Sequence, residues 1–172
     1  PSPYLIPDVN KVKYYKKILS NNNKFKIGLS WRTKSDSAEK KNLSLNKLSK
    51  LLLLDNCEFV NIQYGDTSEE RENFKSEFGK ELINIENLDL MNDFEGLAAL
   101  IASCDLVITI TNATAQLAGS IGAPTWVMLH SYPHWEWFVN RSDSLWYPNI
   151  KLFRQIGYNT WENVITNLHR EL

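Results

Sequence analysis

The sequence predicts an α/β fold: a Rossmann-like parallel sheet flanked by helices on both faces. Three observations predict it. Apolar runs of five to seven residues alternate with segments of helical period. Few of those runs alternate in and out, so their sheet is buried on both sides, as parallel sheets are. Small or polar residues stand just after the runs, in "GLSWR", "NIQYGD" and "ITITNAT". In such folds ligands lie there, outside the carboxyl ends of the strands and near a switch in strand order.

Each element has its own reason. Over residues 8–19, Val9, Val12, Tyr15 and Leu19 fall on one helical face, with Asp8 as N-cap and an Asn triplet as the break. Residues 25–31, "FKIGLSW", form the first strand, and the charged stretch 32–42 reads as a mobile loop. A helix follows over 44–55 with Ser44 near its start, then a strand over 58–64. Residues 66–78 read as a helix capped by Asp66 or Thr67, with acids soon after the cap. "ELINIE", 81–86, is a short third strand, and a helix over 93–104 starts at Asp93. Residues 106–110 and 125–129 are the fourth and fifth strands. The helix between them has a small face, Ala115, Ala118 and Gly119, suited to lying close on the sheet. It ends at Gly122 and Pro124, a left-handed terminator and a stop. A possible sixth strand covers 150–155, and a helix capped by Thr160 closes the chain.

The 172 residues are about one domain's worth, and 43% hydrophobic with 23% charged is ordinary for a soluble globular protein. Lys and Arg number 19 against 20 Asp and Glu, which gives no support for binding nucleic acid or a membrane surface. No apolar run approaches the roughly 20 residues of a membrane span, and no signal peptide is visible. Cys57 and Cys104 each flank an apolar run, the setting of two buried thiols in a reducing, cytoplasmic protein. Residues 1–7 hold three prolines and no initiator Met. They read as a linker from a missing N-terminal region, with the domain proper over 8–172.

The junction Thr111-Asn112-Ala113-Thr114 carries the main chemical signal. A helix starting there exposes unpaired N–H groups and its positive dipole end, yet its first turn holds no acid. That leaves the end open to an anion such as a diphosphate; the alternative is a plain cap. In "GLSWR", the Ser30 hydroxyl and the Arg32 guanidinium fork can meet phosphate oxygens, or Arg32 is simply solvated. The crevice rule also picks out Gln63, Tyr64 and Gly65, and the residues from His130 onward.

Other chemistries are poorly supported. "GLSWR" lacks the final Gly of an esterase elbow, and neither a dinucleotide fingerprint nor a P-loop occurs. His130 and His134 are four apart, but Pro133 intervenes and no third ligand is near, so no metal site is assigned. Asp89, Asp93 and Glu95 do not make a paired-carboxylate hydrolase. Trp126 reads as core. Trp135, Trp137, Trp146 and Tyr147 either stack on a base or sugar or cover the sheet's end.

Together, "GLSWR", "FVNIQYGD", "LAALIASCDLVITITNATAQLAGSIGAPTWVML" and "HWEWFVNRSDSLWYPNIKLFRQ" resemble the C-terminal domain of bacterial tetratricopeptide-repeat glycosyltransferase-like proteins. More distantly that domain is similar to the heptosyltransferases of glycosyltransferase family 9. The resemblance runs over roughly residues 3–170. It implies one half of a GT-B architecture, the half that binds a nucleoside-diphosphate sugar without metal or other cofactor. An N-terminal domain and a repeat region in the same chain would bring the acceptor and the catalytic base. By the resemblance, Thr111, Asn112, Ala113 and Thr114 hold the diphosphate, and Gln63, Tyr64 and Gly65 line the nucleotide pocket. Ser30 and Arg32 face the phosphates. The chain departs from the heptosyltransferases in reading Thr111-Asn112 for Asp-Thr, and in placing Gln116 where His is common. Gln hydrogen-bonds but carries no proton in catalysis. The expected function is therefore donor binding in an inverting glycosyltransferase. The alternatives are a non-catalytic binding or interaction domain that keeps the fold, and half of a sugar-nucleotide epimerase.

Overall fold

A computed structural model describes residues 3–35, 38–157 and 160–172. Five strands, β1 (Phe25–Ser30), β2 (Cys57–Asn61), β3 (Leu106–Ile110), β4 (Thr125–Leu129) and β5 (Ile150–Arg154), form one sheet in the order β2-β1-β3-β4-β5. Every neighbouring pair is parallel. The α/β Rossmann-like expectation holds.

Alternate strand residues feed two layers of helices. On one face Ile27, Leu29, Ile108 and Met128 pack with α3 (Ser49–Leu52), α4 (Ser68–Phe78) and α7 (Glu162–Glu171), through Leu51, Phe74, Val164 and Leu168. On the other, Val60 and Val107 meet Tyr15 and Leu19 of α1 (Val9–Leu19), and Leu97 and Leu100 of α5 (Phe94–Ile101). Val127 and Leu129 meet Ala115 of α6 (Ala113–Ser120). A sheet covered on both sides is why its strands read as unbroken apolar runs.

The expected caps at Asp8, Asp93 and Asn112 form, each carboxylate or amide oxygen accepting from a first-turn N–H. Asp66 serves α4 by accepting from the Ser68 amide at 2.9 Å. Gly122 takes the left-handed conformation, φ +76°, that ends α6.

Several local expectations need correction. Residues 81–86 are not a strand: Ile83 alone bridges Val60, because Glu81, Asn84 and Glu86 flank it and Ile85 turns into the core instead. Residues 44–55 are not one helix. Leu45, Leu48, Leu51 and Leu52 are all buried as one apolar stripe, but a hydrogen-bonded turn over residues 45–48 leads into the short α3 in place of a continuous helix. The stretch 32–42 is tied down. The Asn42 side chain bonds both backbone groups of Thr33, and α2 (Ala38–Lys41) buries Lys41; residues 36 and 37 lie outside the described part. Thr160 does not cap α7, since its hydroxyl donates to the Gly157 carbonyl and the helix starts after Trp161. Gly119 does not face the sheet. A Cβ there would sit 2.5 Å from the Tyr147 ring, so the missing side chain admits Tyr147.

Of the expected linker, Pro1 and Ser2 lie outside the described residues. Tyr4 and Leu5 donate their amides to the Ser120 carbonyl, and the Tyr4 ring lies 6.2 Å from that of Tyr147. Cys57 and Cys104 are buried free thiols, as expected. Among the described residues no helix is long and apolar enough to cross a membrane.

Candidate functional site

In the order β2-β1-β3-β4-β5 the chain leaves β1 in one direction for β2 and in the other for β3, so the switch point lies between β1 and β3. The residues just past those strands are Trp31-Arg32 and Thr111-Asn112.

A hydrogen-bonded lattice stitches three strand ends together there. The Asn112 Oδ1 accepts from the Ala115 amide at 3.2 Å and the Thr109 hydroxyl at 3.1 Å. Its Nδ2 donates to Ser30 Oγ at 2.8 Å and to the Arg32 carbonyl at 3.3 Å. The Gln63 Oε1, beyond β2, accepts from Ser30 Oγ at 3.0 Å and from the Trp31 and Arg32 amides at 2.8 Å each. Ser30 and Gln63 are thus buried, and their oxygens are occupied by the protein itself. Asn112 is a cap in the ordinary sense, and the capped helix still presents its positive end.

That end has three properties. No acid stands in the first turn of α6. Ala113, the first residue of the helix, is exposed; the Ala115 N–H is taken by Asn112, while the Ala113 and Thr114 N–H groups are among those a helix leaves without an intrahelical acceptor. The Thr111 and Thr114 hydroxyls are buried with no partner among the described residues.

The remaining expected residues divide. Gln63 and Gly65 line a cleft of about 370 Å³ beyond β2, closed on its other side by Asn84, Leu88, Leu90 and Met91. Tyr64 donates from its hydroxyl to Thr33 Oγ1 at 3.2 Å, and Gly65 has φ +82°. Arg32 does not point its charge at α6: its Nη1 is paired with Glu70 Oε2 at 3.2 Å. Glu70 also accepts from the Trp31 indole and the Leu45 amide, and a larger cleft of about 800 Å³ on that side is rimmed by Asp66, Glu69 and Glu70. Gln116 accepts the Tyr147 hydroxyl on its Oε1 at 2.7 Å.

Three basic residues from the segments after β1 and β4 come together, of which the crevice rule singles out His130. Lys41 is only 4% exposed and, among the described residues, has no carboxylate bonded to it; its ammonium lies 3.2 Å from His134 Nε2. Burial holds its pKa below the usual lysine value, against the through-space pull of Glu136. His130, 7% exposed just past β4, has an Nδ1 with no hydrogen-bond partner among the described residues. Burial first, then the nearby Lys41 and His134, keep its imidazole below the ordinary histidine pKa. The His130–His134 spacing and the place of His130 just past a strand are the traces of this cluster in the sequence, and nothing there signals the burial of Lys41.

Among the described residues, no three His, Cys, Asp or Glu side chains come together to hold a metal. Burial pushes the Cys104 thiol up to about 12, so it is no nucleophile near neutral pH. The aromatic segment is mixed in role. Trp137 is core, and Trp126 packs half-buried on Phe153. Trp135 is 75% exposed and meets the edge of Trp146 at 6.1 Å.

No protein-family model matches the chain. Protein FlbA of Caulobacter vibrioides (strain ATCC 19089 / CIP 103742 / CB 15) is 35% identical over 162 residues, which are 92% of this chain and 27% of FlbA. The chain therefore spans about a quarter of that relative. Among solved structures, the glycosyl transferase family 9 protein of Veillonella parvula DSM 2008 aligns at a TM-score of 0.59 with 12% identity. The alignment covers 88% of this chain and 42% of that one. The chain shares its fold with part of a glycosyltransferase.

Proposed function

We propose that this domain binds the nucleoside-diphosphate sugar donor of a GT-B glycosyltransferase. The observation that carries the reading is the amino end of α6, which lies at the sheet's switch point with no acid in its first turn. The Ala113 and Thr114 amides and the Thr111 and Thr114 hydroxyls would hold the diphosphate, an anion at a helix N-terminus. Ser30, Gln63 and Asn112 would act behind them, as the lattice that sets the loop. The base would occupy the cleft of Gln63 and Gly65 against Leu88 and Met91, with Tyr64 at its margin. Arg32 would reach a phosphate only by leaving Glu70, and Gln116, engaged by Tyr147, has no proton-transfer role.

In this reading an acceptor hydroxyl attacks the anomeric carbon, the bond to the phosphate oxygen breaks, and the nucleoside diphosphate leaves with the electron pair. The α6 amides and Lys41 stabilise the charge that develops, which is electrostatic preorganisation. The catalytic base comes from an N-terminal domain of a longer chain, so the 172-residue domain binds without turnover.

Ala113→Asp tests this directly. It places an acid at the exposed first position of α6, which favours the helix by about 0.3–1 kcal/mol but repels an anion. Thermal melting is run with excess UDP, GDP, ADP and CMP in turn. A bound nucleotide at 100 times its dissociation constant adds about 2.7 kcal/mol. The expected result is a shift with one nucleotide in the native chain and none in Ala113→Asp, whose unliganded melting point is undiminished. If no nucleotide shifts the native chain, the donor reading fails. If Ala113→Asp still binds, the diphosphate does not sit at α6.

A further inference from the structure

We propose that His130 and His134, with Lys41, form a protonation-dependent phosphate site, in which an anion binds more tightly as the two imidazoles take up protons. The proposal deepens the donor reading, on which it rests for the identity of the anion, by assigning the same site a dependence on pH.

The three groups converge from two connections. Lys41 ends α2, in the segment after β1; His130 follows β4, and His134 lies four residues on. In the sheet β3 stands between β1 and β4, so the Thr111 junction and the start of α6 fall between the two connections. The charged groups acting on this cluster are Lys40 and Lys41 from α2, and His134 and Glu136 from the segment beyond β4. Among the described residues Glu136 is the acid that acts on Lys41, through space and without a bond.

The bonding pattern gives the cluster its dependence on protons. The Lys41 ammonium, which can only donate, lies 3.2 Å from His134 Nε2, so the contact is a hydrogen bond only while that nitrogen is unprotonated. Protonation of His134 removes the acceptor and sets two positive groups against each other. A phosphate oxygen between them restores an acceptor to both. His130 carries a buried Nδ1 with no hydrogen-bond partner among the described residues; the Tyr132 backbone lies against the ring and favours its protonated form, and the imidazolium has a second donor that an anion can also meet. The anion and the protons therefore favour each other, and by linkage the effect is reciprocal. No covalent bond is made or broken.

Sulfate is the suitable probe, because its charge does not change between about pH 5 and 8, the histidine range. The chain has three histidines, and His169, on α7, serves as an internal reference. Their ring resonances are titrated by NMR with sulfate and, at matched ionic strength, with chloride. Sulfate is expected to raise the titration midpoints of His130 and His134 by at least about half a unit, or about threefold in affinity for each protonated form. His169 stays unmoved, and the shift shrinks in Lys41→Met. In the double variant His130→Gln/His134→Gln, sulfate affinity no longer depends on pH. Equal movement of all three histidines, or movement of none, overturns the proposal. Nucleotide binding with unmoved histidines leaves the donor reading standing and removes this one. Sulfate-shifted histidines without any nucleotide binding keep this site and remove the donor reading.

Discussion

The carboxyl edge of the sheet has two unlike halves. Around β2 and β1 the charge is already balanced: Arg32 is held by Glu70, and Asp66 and Glu69 rim the adjoining cleft. Around β3 and β4 it is not, since Lys41, His130 and His134 come together from the segments after β1 and β4, and the helix that follows β3 has no acid in its first turn. The arginine that looked most like a phosphate ligand in the sequence is the one already neutralised. The lysine that looked like part of a solvated loop is buried and, among the described residues, meets a histidine and no carboxylate. A binding site for an anion is better recognised by the cation whose charge is not neutralised than by the residue type best suited to the task.

The seam between the halves is where the comparison breaks most severely. Gln63→Ala removes one oxygen that satisfies the Trp31 and Arg32 amides and the Ser30 hydroxyl. With buried groups left bare at about 1–3 kcal/mol each, and some regained from water, the expected loss is about 3–5 kcal/mol of stability. Urea unfolding measures it. A loss under about 1 kcal/mol would mean that the lattice does not hold the strand ends.

The acidic half should fail in stability and not in binding. Glu70→Ala strands the Trp31 indole N–H and the Leu45 amide and frees Arg32. The fold should lose about 2–3 kcal/mol. Sulfate affinity, measured calorimetrically, should stay level or rise, because a cation at the edge is released. A fall in affinity would mean that the two halves are one site.

The basic half should show the reverse. Lys41→Met removes a desolvated charge, and replacing buried charge by apolar volume is often neutral or stabilising. Stability should hold or improve by about 1 kcal/mol while anion affinity drops about tenfold, or about 1.4 kcal/mol. The folded-state pKa of Lys41 lies below its unfolded value, so native stability should rise with pH as the alkaline lysine range is approached. In Lys41→Met that rise should disappear.

Which of these features can be read from sequence depends on the range of the forces involved. The strands β3 and β4 were legible because burial on both faces leaves an apolar run, and the caps Asp8, Asp93 and Asn112 because capping is settled within three residues. Residues 81–86 were misread because joining a sheet depends on how the run meets β2, which composition does not record. The junction at Thr111 and Asn112 stood out from its missing acids alone. That Ser30, Gln63 and Asn112 form one lattice did not, since those residues lie 33 and 82 positions apart. Lys41 was lost to the ordinary expectation that a lysine among charged neighbours is solvated.

The smallest effect separates the halves by pH alone. Among the described residues the carboxyls whose pKa values are displaced, Asp55, Glu58, Asp66, Asp89 and Asp143, are all held below the usual range by hydrogen bonds or adjacent cations, in Glu58 against the opposing effect of burial. Their contribution is intact near neutrality and is lost only as the pH falls through those low values. His130 is displaced in the same direction, but from a higher starting point. As the pH drops through about 6.5, the unfolded chain takes a proton that the folded chain resists, so stability falls there and not above. Between about pH 7 and 5.5, where the histidines titrate and these carboxyls do not, the melting temperature should decline slightly. His130→Gln should flatten that decline. Sulfate should oppose it in the native chain and not in the variant, because an anion that stabilises the protonated cluster offsets the cost of charging a buried imidazole. A decline that persists unchanged in His130→Gln would place the titrating group elsewhere and leave the basic half without its proton-sensitive member.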